Sequence, residues 1–262
     1  MATRLVSEAQ ANAVKADIAH QSGFDFYGVF QKGVFAPYDS PERAAFPQNF
    51  KDEKGYWVIH NATLNVIAYN TARVVPADVP KSFWDLTQPK WKGQMLMDEN
   101  ESKWMAGMVE YFGENKAMDL MRKLADQDMQ FRNGHTLLAT MVAAGDRAMA
   151  VVAFADSVEG LRQKGAPIDW IAVEPLLGLS IGLALVKNAP HPNAAKLFID
   201  FLLSQEGQQA IAAEGYFSPR QDVQSSIMKR VPPNLKVLPL SMTLAQRYQE
   251  DFQKFRKVMK LQ

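Results

Sequence analysis

The feature that most constrains the fold is a regular alternation of short apolar runs with amphipathic segments in the middle of the chain. Apolar runs predict strands at residues 94–97, 129–132, 148–153 and 168–173. Helical spacing of apolar residues between these runs predicts helices at about 102–112, 114–127, 136–144 and 156–164. Strands separated by helices of about 10–15 residues are typical of an α/β sheet. We therefore predict an α/β fold for this region.

The flanking sequence predicts a second α/β region. We expect helices at residues 3–14, from 22 to about 31, 193–203, 206–214 and 241–258, and strands at 16–20, 56–59, 64–69 and 179–186. Extended segments near residues 64–70 and 173–179 connect the two regions. Two lobes joined by more than one strand predict a hinge with a cleft between the lobes.

The composition excludes several classes of function. The 262 residues carry 29 Lys and Arg against 28 Asp and Glu, a net charge of +1, so no global positive field favours a nucleic-acid partner. Cys is absent, which excludes disulfides, thiolate metal sites, iron–sulfur clusters and cysteine nucleophiles. No apolar stretch approaches the roughly 20 residues of a transmembrane helix. The first residues lack the apolar core of a secretory signal, so we expect no export signal in the chain as printed.

Motifs that indicate catalysis are also absent. The sequence has no G-x-S-x-G elbow, no phosphate-binding G-x-x-x-x-G-K-[ST] loop and no G-x-G-x-x-G after a strand. None of the four His residues lies at a metal-ligand spacing from another. We therefore predict no enzyme activity, no cofactor and no bound structural metal. Residues 178–182 (GLSIG) indicate either a hinge or a close-packing position.

Ligands of open α/β sheets bind beyond the carboxyl ends of strands, where loops meet helix N-termini. This rule selects the candidate ligand-binding residues, which are His20, Ser22, Gly23, Asn61, Thr63, Glu101, Ser102, Trp104, Arg132, Asn133, His135, Phe154 and Asp156. The set combines donors suited to a carboxylate or phosphate, acceptors suited to an ammonium group or a metal, and flat apolar walls. It predicts a small organic solute with an anionic group.

Three of these positions also have simpler explanations. His20 either faces a ligand or caps its loop. The polar run at residues 98–104 either contacts a ligand or is solvated surface, although Trp104 offers a flat face that favours the first. The turn before His135 either exposes backbone amides to an anion or is a helix N-terminus capped by Thr136.

Three segments resemble a known family. The segments are Lys90-Trp91-Lys92-Gly93 following Phe83-Trp84-Asp85-Leu86, residues 64–70 (LNVIAYN), and residues 189–208 (APHPNAAKLFIDFLLSQEGQ). They resemble bacterial solute-binding proteins of ABC importers, and among these the ferric-iron-transport-like group. The resemblance extends over most of the chain, from about residue 4 to its end.

The resemblance implies the type II periplasmic-binding fold, in which two α/β lobes close around a solute and deliver it to a membrane permease. The first lobe would comprise residues 1–92 and 174–216, the second 93–173, and residues 217–262 would pack back across both. It implies a periplasmic, monomeric binding protein. A sensory module without transport is the alternative, whereas a porphobilinogen-deaminase-like transferase would need the Cys that this chain lacks.

The sequence departs from the family's pattern in two places. Family members carry a strand and a helix ahead of the segment with which this chain starts, so we expect unpaired edges in the first lobe's sheet. Ferric-binding members carry an adjacent pair of tyrosines after the strand that corresponds to residues 148–153, where this chain reads Phe154-Ala155-Asp156-Ser157. Asp156 offers one oxygen, but the pair of phenolates is absent. Phenylalanine offers no phenolate oxygen, so the resemblance favours a solute other than a directly bound ferric ion. Ferric iron or another metal complex remains the alternative.

Overall fold

The structure of the protein, a computed structural model, describes residues 2–240, 244 and 247–261. The chain divides into two compact units. The first unit comprises Met1–Ala62, Leu179–Lys229 and Pro239–Gln246, and the second comprises Thr63–Gly178, Arg230–Leu238 and Arg247–Gln262. Both units combine helices with a sheet, which confirms the predicted α/β class.

The unit boundaries differ from those that we predicted for the lobes. Residues 63–92 lie in the second unit rather than the first, and residues 217–262 are divided between both units. The physical reason is that two long strands, β3 (Val58–Asn70) and β8 (Leu176–Val186), pass from one unit to the other without ending.

The first unit is built on antiparallel pairing with β8. Strand β1 (Ile18–Ser22) pairs with β8 from Ile18 opposite Leu185 to Ser22 opposite Ile181, and the two-residue β2 pairs Phe35 with Val186. The other elements assigned to this unit are α1 (Ala2–Gln10), α2 (Gly23–Gln31), β2 (Phe35–Ala36), α7 (Pro192–Leu203) and α8 (Gln205–Ala213).

Successive residues of β8 face opposite sides of this sheet, as the period of two in a strand requires. Ala184 and Val186 pack with Phe26 of α2 in one apolar cluster. Leu183 and Leu185 pack with Ile199 of α7 in another. The first unit therefore has a core on each side of its sheet.

The second unit contains a parallel array. Strand β4 pairs in parallel with β5, where Leu96 lies opposite Gln130, and with β6, where Met95 lies opposite Met149. Strand β3 runs antiparallel to β6 and β7. The elements are β4 (Met95–Asp98), α3 (Ser102–Phe112), α4 (Glu114–Ala125), β5 (Gln130–Arg132), α5 (His135–Ala144), β6 (Met149–Phe154), α6 (Ala155–Gln163), β7 (Ile168–Ile171) and α9 (Tyr248–Val258), and β9 (Val237–Pro239) lies across the unit boundary.

Two predicted elements need comment. We expected separate strands at 56–59 and 64–69 because polar residues interrupt the apolar pattern, but β3 is one continuous strand in which His60, Asn61 and Thr63 are all buried. The last helix begins at Tyr248, and residues 241–243, 245 and 246 of the prediction lie outside the described residues. None of the helices in the described part of the chain has the length and apolarity needed to cross a membrane.

Gly182 marks the closest approach between β8 and a helix. A Cβ built at this position would lie 2.7 Å from the ring of Phe26, which is completely buried. The sequence left residues 178–182 as either a hinge or a close-packing position, and at Gly182 the structure shows close packing.

We predict that Gly182→Ala destabilises the protein by about 1–3 kcal/mol, because the added methyl group overpacks the contact with Phe26. Gly28→Ala in α2 is the matched control, since a Cβ there meets no atom within 4 Å. Alanine in a helix interior is better than glycine by roughly 0.5–1 kcal/mol, so the control should be neutral or stabilising. Urea unfolding followed by far-UV circular dichroism measures both. Equal stabilities for the two variants would contradict the packing argument.

Candidate functional site

Three helices begin at one edge of the second unit's sheet. Strands β5, β4 and β6 are parallel, and each is followed within a few residues by a helix, which starts at His135, Ser102 and Ala155 respectively. The carboxyl ends of parallel strands meet at the same edge, so the N-termini of α5, α3 and α6 converge there. Helix N-termini present backbone N–H groups and a partial positive charge. We call residues 98–102, 132–135 and 154–156 the carboxyl edge.

A buried acid and an imidazole lie in contact at this edge. The Nε2 atom of His135 is 3.1 Å from Oε1 of Glu101, whose residue is only 5% exposed. Burial, with the nearby charge of Asp98, raises the pKa of Glu101 well above its usual range, and Lys103 opposes this only weakly. Burial lowers the pKa of His135, although Asp98 acts in the opposite direction. Both shifts favour the neutral form of each group, and a protonated carboxyl group can donate a hydrogen bond.

The ring of Phe154 holds the imidazole from one side. The two rings stack with centroids 3.7 Å apart and planes inclined by 30°. Phe154 is the last residue of β6 and lies opposite Asn65 of β3 in the strand register. An aromatic face and an acid–imidazole pair therefore occur side by side, which is the mixture of apolar frame and few polar anchors found in small-molecule sites.

The backbone at the start of α5 is capped by a side chain from another strand. Oδ2 of Asp98 accepts a hydrogen bond from the backbone N–H of Gly134 at 2.6 Å, and its Oδ1 accepts one from Asn100 at 2.8 Å. Gly134 has φ of +108°, a conformation that favours glycine. The expectation of a Thr136 cap was therefore wrong, because the carboxylate of Asp98, at the end of β4, accepts the hydrogen bond from this turn. The Gly134 amide is likewise already satisfied by the protein.

Several buried polar atoms at or beside the carboxyl edge have no hydrogen-bond partner among the described protein groups. They are Asn65 Oδ1, Ser102 Oγ and Asp156 Oδ1. Burial raises the pKa of Asp156, and Ser157 donates a long hydrogen bond of 3.4 Å to its other oxygen. More than nine in ten buried polar groups in proteins are paired with protein groups or ordered water, so atoms that the chain leaves unpaired are available to water or to a bound molecule.

Some predicted site residues lie away from this cluster. Trp104 is completely buried and packs edge-on against Phe83 with centroids 5.1 Å apart, so its ring belongs to the core instead of forming an exposed wall. Arg132 is exposed and donates to the carbonyl of Phe131 at 2.7 Å, while Asn133 donates to Glu99 at 3.3 Å. Arg132 ends the short strand β5 and Asn133 follows it, and both are exposed, so the structure does not bring them into contact with the Glu101–His135 pair.

The first unit holds the remaining candidates. His20 lies on β1, and its ring centroid is 4.9 Å from that of His60 on β3. His60 is 2% exposed, and neither of its ring nitrogens has a partner among the described groups. Burial, reinforced by His20, lowers the pKa of His60 to about 3. Sequence reasoning did not select His60, although a histidine within an otherwise apolar strand was an available signal.

The other first-unit candidates show ordinary contacts. Ser22 donates to Asp25 at 3.3 Å at the start of α2, next to the buried Gly23. Asn61 is buried with its Oδ1 unpaired, and Thr63, also buried, is the first residue of the second unit. Within the described ranges, no group of three or more His, Asp or Glu side chains is arranged to hold a metal ion.

We predict that Glu101→Gln becomes increasingly stable relative to the wild-type protein as pH rises above the ordinary pKa of a glutamate, toward the raised pKa of folded Glu101. The raised pKa of folded Glu101 means that its stability contribution is complete below the unfolded pKa and is lost as pH rises through the folded pKa. Where only the unfolded state is ionised, the difference grows by up to about 1.4 kcal/mol per pH unit. Glutamine carries no proton to lose, so the variant lacks this dependence.

Urea unfolding at several pH values tests this, with Glu110→Gln as the control. Glu110 is an exposed carboxylate on the same helix, α3. The free energy of unfolding of Glu110→Gln should depend on pH in the same way as that of the wild-type protein. Parallel profiles for all three proteins would show that Glu101 ionises normally in the folded state.

Comparisons with known proteins agree with this architecture. The family described as bacterial extracellular solute-binding protein matches residues 15–242. The chain is 22% identical to the Fe(3+)-binding periplasmic protein of Serratia marcescens over 70% of this chain and 57% of that protein. The chain spans about 57–64% of the length of the first curated relatives that it matches.

Two solved structures share the fold. Iron-bound HitA from Pseudomonas aeruginosa superimposes with a TM-score of 0.79 at 22% identity, covering 98% of this chain and 86% of that one. AfuA from Actinobacillus pleuropneumoniae, with fructose-6-phosphate bound, superimposes with a TM-score of 0.78 at 22% identity, and the match covers 100% of this chain and 88% of that one. Since the family's match extends over most of the chain, the protein belongs to the bacterial extracellular solute-binding proteins and has their two-lobed type II periplasmic-binding fold.

Proposed function

We propose that this protein is the periplasmic solute-binding component of an ABC importer, that it binds its solute at the carboxyl edge of the second unit, and that the solute is a ferric complex. The observation that carries the binding site is the group of unpaired buried polar atoms at and beside this edge, around the Glu101–His135 pair. Delivery to a membrane permease follows from the family. We propose no catalytic step, and we propose that the protein acts as a monomer without a nucleic-acid partner.

The names of the relatives support iron as the cargo. The Serratia marcescens relative is named for ferric iron, and a Synechocystis relative, 26% identical over 84% of this chain, is named an iron uptake protein. The described side chains, however, are not arranged in a group that could hold a bare ion. Phe154 carries no oxygen, and no three-residue metal group occurs among the described residues.

A ferric ion that brings its own oxygen ligands agrees both with the iron-related names of the relatives and with the lack of a metal-holding group among the described side chains. In a ferric chelate the metal is surrounded by carboxylate or hydroxyl groups of a small organic molecule, and the protein contacts those groups. The Glu101 carboxyl group, whose raised pKa favours the protonated form, and Ser102 can donate to chelate oxygens, as can N–H groups of the first turns of α3 and α6. The Phe154–His135 stack offers a flat face to the chelate's carbon skeleton.

A small organic anion without metal is the second candidate. The same donors and the same aromatic face suit a carboxylate or a sugar phosphate, and the AfuA structure shows that this fold accommodates a phosphorylated sugar in that protein. The two candidates differ in one measurable property, which is whether binding requires the metal.

We predict that the protein binds ferric citrate at one equivalent and binds citrate or fructose 6-phosphate alone much more weakly. Ser102→Ala and Glu101→Ala should each weaken binding by about tenfold or more, because a lost hydrogen bond to a charged group costs about 1.5–3 kcal/mol. Glu110→Gln is the control and should bind normally. Isothermal titration calorimetry measures the affinities.

Two further results would decide between the candidates. Since Phe154 offers no phenolate, the ferric complex should show no new phenolate-to-iron absorption band on binding. Tight binding of citrate or fructose 6-phosphate without iron would establish the organic anion as the solute. Full affinity in both site variants would place the binding site elsewhere.

A further inference from the structure

The two histidines of the first unit form a contact that the proposed function does not use. His20 on β1 and His60 on β3 have ring centroids 4.9 Å apart and ring planes inclined by 46°. His20 is exposed and, with Gln21 and Lys15, lines a cavity of about 270 Å³. The pair is therefore reachable from solvent through His20.

His60 differs from the other buried or paired histidines of the protein. His135 contacts Glu101, and His191 lies 3.2 Å from Asp17, whose carboxylate also accepts the His191 backbone N–H. His60 is 2% exposed, and both of its ring nitrogens lack a partner among the described groups. A buried imidazole ordinarily uses at least one nitrogen in a hydrogen bond or a metal bond.

The chemistry of the pair matches one class of ligand. Burial and the neighbouring imidazole keep His60 neutral, so a ring nitrogen offers its lone pair. Imidazole nitrogens suit zinc, copper and nickel, whereas carboxylate and carbonyl oxygens suit magnesium and calcium. Two imidazoles bound to one tetrahedral cation at about 2.0–2.1 Å per nitrogen place their ring centroids roughly 5 Å apart. The observed separation is close to that value.

We propose that His20 and His60 form a two-histidine site on the first unit for a late first-row divalent cation: Zn²⁺, Cu²⁺ or Ni²⁺. Water or a small anion completes the coordination from the exposed side of His20. The site goes beyond the proposed solute site, because its residues belong to the first unit and its ligand atoms are nitrogens.

Titration of the metal-free protein with ZnCl₂ and CuCl₂ in a buffer without chelators tests the proposal. The wild-type protein should bind one equivalent and show a raised melting temperature, since a cation that binds only the folded state stabilises it. The electron paramagnetic resonance spectrum of the Cu²⁺ complex should show coupling to nitrogens of two imidazoles. No solute is added, so the result is independent of the solute site.

His20→Ala should weaken binding at least about tenfold, since even residues that only support a metal ligand contribute about 10–100-fold to metal affinity. His20 is exposed, so this variant should fold normally, whereas His60→Leu also changes a buried position and serves as the second variant. His191→Ala, which removes an exposed histidine of the same unit, is the control and should bind like the wild-type protein. Absence of one-equivalent binding, equal binding by His20→Ala, or nitrogen coupling from a single imidazole would overturn the proposal.

Discussion

The parallel pairing of β4 with β5 and β6 is the constraint on which the second unit's chemistry depends. Because the three strands run in the same direction, the helices that follow them all begin at one edge of the sheet. Glu101, His135 and Phe154 are far apart in the sequence, and this pairing brings them together. The hydrogen bond from Gly134 to Asp98 then joins the end of β4 to the start of α5 and fixes the position of His135.

Periodicity was a reliable guide to the second unit. Strands and helices from Met95 to Gln163 lie within one or two residues of the predicted bounds because their apolar residues repeat with the spacing of the element. It failed at residues 60–63, where polar side chains suggested a break in a strand that continues. These side chains are buried, so polarity there reflects a special environment and not exposure to solvent.

The candidate site was predictable in position but not in composition. The rule that ligands bind beyond the carboxyl ends of strands selected Glu101, Ser102, His135 and Asp156, and the structure places these four residues at one edge of the sheet. The sequence does not indicate the direction of each side chain, however. In the structure Arg132 is exposed, and the ring of Trp104 packs in the core. The stacking of His135 on Phe154 and the contact of His20 with His60 join residues of different strands, and no local pattern encodes them.

Unpaired buried polar atoms carry an energetic cost, and that cost explains how such sites are retained. Each unsatisfied group destabilises a folded protein by about 1–3 kcal/mol, so a chain under selection for stability alone would replace Ser102 or His60 with apolar residues. A binding protein gains from keeping them, because a ligand that supplies the missing partners recovers the lost energy only when it is bound. In the two sites that we propose, the polar groups that the chain leaves unpaired are the ones that would contact the bound molecule.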